Sequence, residues 1–196
     1  MSKKTIFLLR QAISAFVKLS DEEWMMLQPH IRDKLLKKFE LFAVEGKVAK
    51  EIGFVLQGNM RHYYLKDGEE KTTYFYFENH FVGAYISCIT NQPSQLNIQA
   101  LSDCRLLVFP YQILQNLYNT SHTWERFGRL LAEYLAIGLE ERMAGLLMLN
   151  PEERYKQLLG SNKQKILQRI PQHYVANYLG ITPVSLSRIR NRLMQG

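Results

Sequence analysis

Residues 172–193 read QHYVANYLGITPVSLSRIRNRL, and this stretch decides the architecture because it has the spacing of two short helices joined by a tight turn. Val175, Ala176 and Leu179 give the first helix an apolar stripe, and Ala176 is small where a second helix has to cross closely. Gly180 supplies a left-handed backbone position that a side chain would resist. Thr182 can cap the next helix, and Pro183 suits its first position, where the missing N–H had no intrahelical partner. Leu186, Ile189 and Leu193 recur at i, i+3 and i+7 and turn inward, leaving Val184, Ser185, Arg188, Asn191 and Arg192 outside. That outer face suits a DNA major groove: arginine offers a bidentate fork to guanine, asparagine pairs with adenine, and valine touches a thymine methyl. An ordinary helical hairpin with a solvated basic face fits the same pattern.

Charge bears on the choice. The chain carries a net +7, and +6 of it lies in residues 151–196, where eight cations face only Glu152 and Glu153. Cations gathered on one small region are the footprint of a phosphate-binding surface, whereas a near-neutral remainder argues against general membrane adhesion. With 196 residues, 46% of them hydrophobic, the chain can bury a core and hold one average domain plus a small one. No apolar run approaches the roughly 20 residues of a membrane helix, and the opening MSKKTIFLLRQAISAF, interrupted by Arg10 and Gln11, reads as an amphipathic helix rather than an export signal. Cys88 and Cys104 make neither a disulfide framework nor a four-ligand metal site, so a reducing cytoplasm is the expected compartment.

Working backwards, SDEE at Ser20–Glu23 has capping-box spacing and starts a short helix over Asp21 to Pro29. From Lys37 to Pro110 apolar and polar residues alternate between glycines, which predicts several short strands in a sandwich or barrel. The clearest unit is a hairpin, NMRHYYL and KTTYFYF around a Lys66–Glu70 turn containing Asp67-Gly68. The aromatics Tyr63, Tyr64, Tyr74, Phe75, Tyr76 and Phe77 are read as filling both faces of a covered sheet rather than as a base-stacking platform. Tyr111 to Tyr118 predicts a short helix, and Thr123 to Leu149, capped by Ser121, a single long one. The long helix has two neighbouring apolar stripes, one through Leu131, Leu135 and Leu139, the other through Phe127, Leu130 and Tyr134, where a surface helix needs only one. One stripe is expected on the barrel and the other on the same helix of a second chain, with Phe127, Leu131, Tyr134, Leu135 and Leu139 in the contact. Asn150-Pro151 stops that helix and starts PEERYKQLL, so the expected units are residues 1–122, 123–150 and 151–196.

With these elements in order, the chain resembles the Crp/Fnr family of bacterial transcription regulators over essentially its whole length. The matching segments are YLGITPVSLSRIR from Tyr178 to Arg190, GFVLQGNMRHYY from Gly53 to Tyr64, and PEERYKQLL after the long helix. Among subgroups it is most similar to proteins common in Bacteroidetes. The resemblance implies an α+β fold: an antiparallel double-sheet jelly roll of cyclic-nucleotide-binding type with flanking helices, a dimerisation helix, and a C-terminal helix-turn-helix of winged-helix type. It implies that Arg188 contacts bases within a set of Thr182, Val184, Ser185, Ser187, Arg188, Asn191 and Arg192, while Lys163, Lys165 and Arg169 are expected to add backbone contacts. Pro183 and Val184 stand where better-known members place Arg and Glu, so the docking mode carries over but the operator sequence does not.

The effector segment departs further. Family members that bind cyclic AMP use a Gly-Glu pair and a later Arg-Ser pair; here Gly83 is followed by Ala84, and Ser94-Gln95-Leu96 spans the arginine region. No Lys, Arg, Asp or Glu occurs from Asn79 to Ser102, and a buried phosphate without a charged donor forfeits its strongest hydrogen bonds. Cyclic AMP is therefore not expected. The barrel is read as binding a neutral or aromatic effector near Gly83, Ala84, Tyr85, Gln95 and Leu96, as responding through protein contacts, or as an effector-independent scaffold. Two cysteines cannot hold an iron–sulfur cluster by themselves, and His62 and His80 read as surface or hydrogen-bonded residues rather than haem ligands. Of the two rivals, a cupin-like metalloenzyme needs histidines that converge, and the five here are scattered. The other is a dimeric interaction protein with a degenerate DNA-binding domain, suggested because the sequence stops at Gly196 without the strand pair that follows the second helix in many family members. The expected partners are double-stranded DNA, a second copy of the chain and RNA polymerase, with no membrane, metal or cofactor.

Overall fold

Alternation along the strands determines how the layers of the computed structural model stack; it describes residues 3–160 and 164–195. One antiparallel sheet has the order β1-β8-β3-β6, formed by Arg32–Leu36, Cys104–Pro110, Glu51–Gln57 and Phe81–Val82. The other has the order β2-β7-β4-β5, formed by Leu41–Ala43, Asn97–Ala100, Met60–Lys66 and Glu69–Tyr76. Neighbouring residues on a strand point to opposite faces, so Val55, Leu106, Val108 and Tyr76 fill the space between the sheets. Phe54, Leu107 and Phe109 instead pack outward beneath helices. On the second sheet Phe75 and Phe77 pack outward against the C-terminal helices. Tyr63, Phe75, Tyr76 and Phe77 are buried as the aromatic alternation predicts, but Tyr64 and Tyr74 are left exposed.

β4 and β5 form the expected hairpin, but its connection is two residues rather than five, because pairing continues to Lys66 opposite Glu69. Asp67 and Gly68 both take positive φ, 52° and 79°, the mirror-image turn whose twist matches the strands. The strand region starts earlier than Lys37. β1 escaped detection because it is an edge strand whose RDKLL sequence exposes most of its side chains. A helical turn, α3 at Tyr85–Thr90, interrupts what alternation predicts as strand.

Helices α1 (Lys3–Ser14) and α2 (Asp21–Leu27) cover the first sheet together with α4 (Tyr111–Thr120) and the start of α5 (His122–Met148). Ser20 and Glu23 form the full capping box, and the Ser121 hydroxyl accepts from the Trp124 N–H at the head of α5. The two stripes of α5 are divided differently from the sequence expectation. Trp124, Phe127, Gly128 and Leu131, at i, i+3, i+4 and i+7, are buried in their own subunit, with Leu135 at the edge of that cluster. Phe127 is 1% exposed, so Phe127 and Leu131 do not belong to a surface that meets a second chain. From Tyr134 onward the helix outruns the barrel, and Tyr134, Ile137, Leu139, Met143, Leu147 and Met148 are exposed. Burial changes along the helix rather than around it.

Asn150 then caps α6 (Pro151–Gly160), its side-chain oxygen accepting from the N–H groups of Glu152 and Glu153. The remaining helices are α7 (Gln164–Arg169), α8 (Gln172–Leu179) and α9 (Pro183–Gln195).

Candidate nucleic-acid interface

Helices α8 and α9 form the two-helix unit from the residues the sequence nominates. Gly180 ends α8 at φ 72°, and the Ile181 N–H returns to the Ala176 carbonyl, closing the left-handed C-cap. Thr182 starts α9 by accepting from the Ser185 N–H at 3.2 Å. Val175, Ala176 and Leu179 of α8 are buried against Leu186 and Ile189 of α9, with Leu193 partly buried beside them. The opposite face of α9 presents Val184, Ser187, Arg188, Asn191 and Arg192 to solvent.

These residues are not equally available. Arg188 has no ion pair among the described residues, whereas Arg192 lies 3.0 Å from Glu152. The Ser185 hydroxyl is 3.0 Å from that of Thr182, so both hydroxyls are engaged in the cap. Lys165 is exposed on α7, away from α9 and close enough to His80 that its charge, second to burial, lowers that imidazole's pKa. Lys163 lies outside the described residues.

Arg169 departs from the expected role. Both arms of its guanidinium hold Glu78 of the barrel, at 2.5 and 2.8 Å, and it lies over the Phe77 ring. These hydrogen bonds hold the Glu78 carboxyl down at about 2. With that fork occupied by a carboxylate, it is not open to a bidentate phosphate.

Three further polar groups, with no signal in the sequence pattern, clasp α8 to the barrel and to α5. Asn177 of α8 treats the edge strand β5 as a neighbouring strand would, accepting from the Thr72 N–H and donating to the Glu70 carbonyl, each at 2.7 Å. Arg61, 2% exposed, forks onto Glu70 at 2.5 and 2.8 Å, also donates to Gln99, and stacks on Tyr63 and Tyr174. Arg142 of α5 donates to the Tyr178 carbonyl and lies 3.7 Å over the Tyr178 ring. The clasp fixes α8, while Arg188 and Asn191 on the outer face of α9 stay exposed.

The candidate effector residues are not gathered round one space. Ala84 is buried between the sheets, and a Cβ on Gly83 would meet Ile52 at 2.8 Å. Tyr85 turns outward to an edge-on contact with Tyr111, Gln95 is exposed, and Leu96 packs on the inter-sheet core. His62 is neither a surface residue nor satisfied through its Nε2, which is buried with no partner among the described residues. Burial lowers its pKa to about 4. Among the described residues no three His, Cys, Asp or Glu side chains converge as a metal site, and no helix is long and apolar enough to cross a membrane.

Residues 34–121 match the family model described as the cyclic nucleotide-binding domain. FixK2 from Bradyrhizobium japonicum superposes with a TM-score of 0.71 at 19% identity, over 84% of this chain and 85% of FixK2. A protein from Eubacterium rectale assigned to the Crp/Fnr family of transcriptional regulators gives 0.66 at 19%, over 91% of this chain and 85% of its own. The chain has the Crp/Fnr fold. The c-di-GMP-responsive global regulator CLP of Xanthomonas campestris gives 0.66 at 16% identity, covering 90% of this chain and 92% of CLP. No curated protein matches the sequence. Within the Crp/Fnr fold the jelly roll is the matched domain, α5 is the long connecting helix, and α8–α9 is the helix-turn-helix.

Proposed function

We propose that this chain is a sequence-specific DNA-binding transcription regulator that acts as a cytoplasmic homodimer on a roughly two-fold site and is not controlled by cyclic AMP. One observation carries the reading: α9 buries Leu186 and Ile189 while Val184, Ser187, Arg188, Asn191 and Arg192 share its solvent face. Arg188, without an ion pair among the described residues, is the side chain assigned to a base edge. The dimer reading rests on the exposed apolar residues of α5 from Tyr134 to Met148, since a contiguous apolar surface of this kind marks an association site. Parallel packing of two such helices would carry two copies of α9, which have to reach major grooves about 34–36 Å apart. RNA polymerase is the further partner such a regulator would recruit or block. The case against cyclic AMP rests on the uncharged stretch from Asn79 to Ser102 and on Ala84, which occupies the inter-sheet core. Arg61, the buried cation on the second sheet, is already committed to Glu70 and Gln99.

Selection of genomic DNA fragments with the purified full-length chain tests this. The expected result is enrichment of a two-fold motif; recovery of fragments with no shared motif would overturn the reading. Cyclic AMP added to the same protein is expected to leave its thermal midpoint unmoved, and a rise with nucleotide concentration would refute that part.

A further inference from the structure

Residues 1–150 are nearly neutral, yet they hold a cationic concavity that DNA reading leaves unused. It lies where the ends of β1, β2 and β8 meet the 44–50 loop, and has a volume of about 530 Å³. Its apolar wall is formed by Phe42, Val44, Val48, Ala49 and Pro110, all partly accessible. Its cations are unevenly neutralised. Glu51 is the one carboxylate in the lining, and it is taken on both oxygens, by Arg32 at 2.5 Å and Lys34 at 2.9 Å. Lys34 also lies 5.0 Å over the Phe42 ring. Lys47 and Lys50, both exposed, have no carboxylate partner among the described residues. The groove therefore combines an apolar wall with a surplus of positive charge at its mouth.

That combination selects an occupant. A DNA backbone offers phosphates along a convex rod and has no apolar part to lay against Phe42 and Val48. A small ligand buries its body in a concavity of a few hundred Å³ and is oriented by a few polar groups. We propose that this groove binds a small apolar carboxylate, its ring or chain against Phe42, Val44 and Val48 and its acid group between Lys47 and Lys50. An occupant would bear directly on the 47–50 segment, which is tied into the neighbouring elements. The Ala49 N–H donates to the Ser87 hydroxyl of α3 at 3.0 Å, and the Lys50 carbonyl accepts from the Tyr111 N–H at 2.8 Å. Tyr111 is the first residue of α4, which runs into α5. An acid bound outside the barrel would thus press on the start of the connecting helices, a consequence that rests on the regulator reading. The binding itself does not.

The test is a titration of the ¹⁵N-labelled full chain with 2-naphthoate, and separately with neutral 2-naphthol and with inorganic phosphate, followed by amide shifts. Saturable shifts centred on residues 42–51 and Tyr111 are expected for 2-naphthoate, with 2-naphthol and phosphate each binding at least about tenfold more weakly, the value of one charge-assisted hydrogen bond. The Lys47→Glu/Lys50→Glu double variant, altered only at exposed positions, is expected to weaken 2-naphthoate by at least as much. Val44→Trp, which fills the groove and keeps its charge, is expected to abolish binding. The proposal is overturned by shifts centred on α5 or α9, by 2-naphthol binding as tightly as 2-naphthoate, by either variant binding like the parent, or by no saturation at millimolar ligand. DNA is absent from every arm, so a failed DNA selection leaves this result standing and the reverse.

Discussion

Arg169 and Arg188 come from the same basic region, and in sequence both read as DNA contacts, Arg169 to the backbone and Arg188 to a base. In the fold they have opposite fates. Arg169 is closed on Glu78 by two hydrogen bonds and covered on one side by Phe77, so it holds α7 to the barrel. Arg188 stands on the exposed face of α9 with no carboxylate partner among the described residues. Positive charge in residues 151–196 therefore divides into a clasp and an exposed face that is proposed to read DNA. A net charge cannot separate them, because the difference lies in which partner the fold brings within 3 Å.

The largest effect that would sharpen this contrast is in the clasp. Arg61→Ala leaves Gln99 and the half-exposed Glu70 without their shared partner and removes the stack under Tyr174, so a loss of about 2 kcal/mol of stability is expected in denaturant unfolding. Little change would mean that Arg61 does not help to hold α8, leaving that to Asn177, Arg142 and apolar contact. Next comes the helix whose two halves behave differently. Ile137→Asp, on the exposed half of α5, is expected to leave folding intact and to convert dimers to monomers at micromolar concentration in sedimentation equilibrium. Phe127→Asp, on the buried half, is expected to prevent folding, because it places a carboxylate in an apolar core. A folded Phe127→Asp protein lacking only dimers would reverse the assignment of the two halves.

A smaller effect is set by pH. Glu78 ionises at about 2 in the folded chain against an ordinary 4.5, with its hydrogen bonds to Arg169 the first cause. A lowered carboxyl pKa adds stability that is present above about 4.5 and is lost as pH falls toward 2. The difference in thermal midpoint between the parent and Glu78→Gln is therefore expected to shrink across that window. A difference that stays constant from pH 6 to pH 3 would show that the ion pair contributes nothing.

The helix-turn-helix was legible because its signals are local: a glycine at the one left-handed position, a threonine cap, and apolar residues at helical spacing. The jelly roll was legible from alternation, except for β1, where an exposed edge strand carries charges, and α3, which is too short to show a period. Phe127 is buried in its own subunit because the barrel covers the start of α5, and two stripes in a sequence do not reveal where along a helix the barrel ends. The clasp was hidden for a similar reason. Asn177 in a helix and Arg61 in a strand have no distinctive neighbours in sequence, and their partners are 105 and nine positions away. The dispersal of Gly83, Ala84, Tyr85, Gln95 and Leu96 over different faces likewise follows from tertiary packing.

The central claim is that Arg188 reads DNA while Arg169 does not touch it. On a site recovered by selection, quantitative binding with base-by-base substitution, comparing Arg188→Ala with Arg169→Gln, separates the two. Arg188→Ala should lose about 1–3 kcal/mol per half-site and relax preference at one symmetric base pair. Arg169→Gln should keep both the base preference and the slope of affinity against salt, since no phosphate contact is removed. An Arg188→Ala protein with unchanged preference, beside an Arg169→Gln protein with a flattened salt slope, would contradict the account.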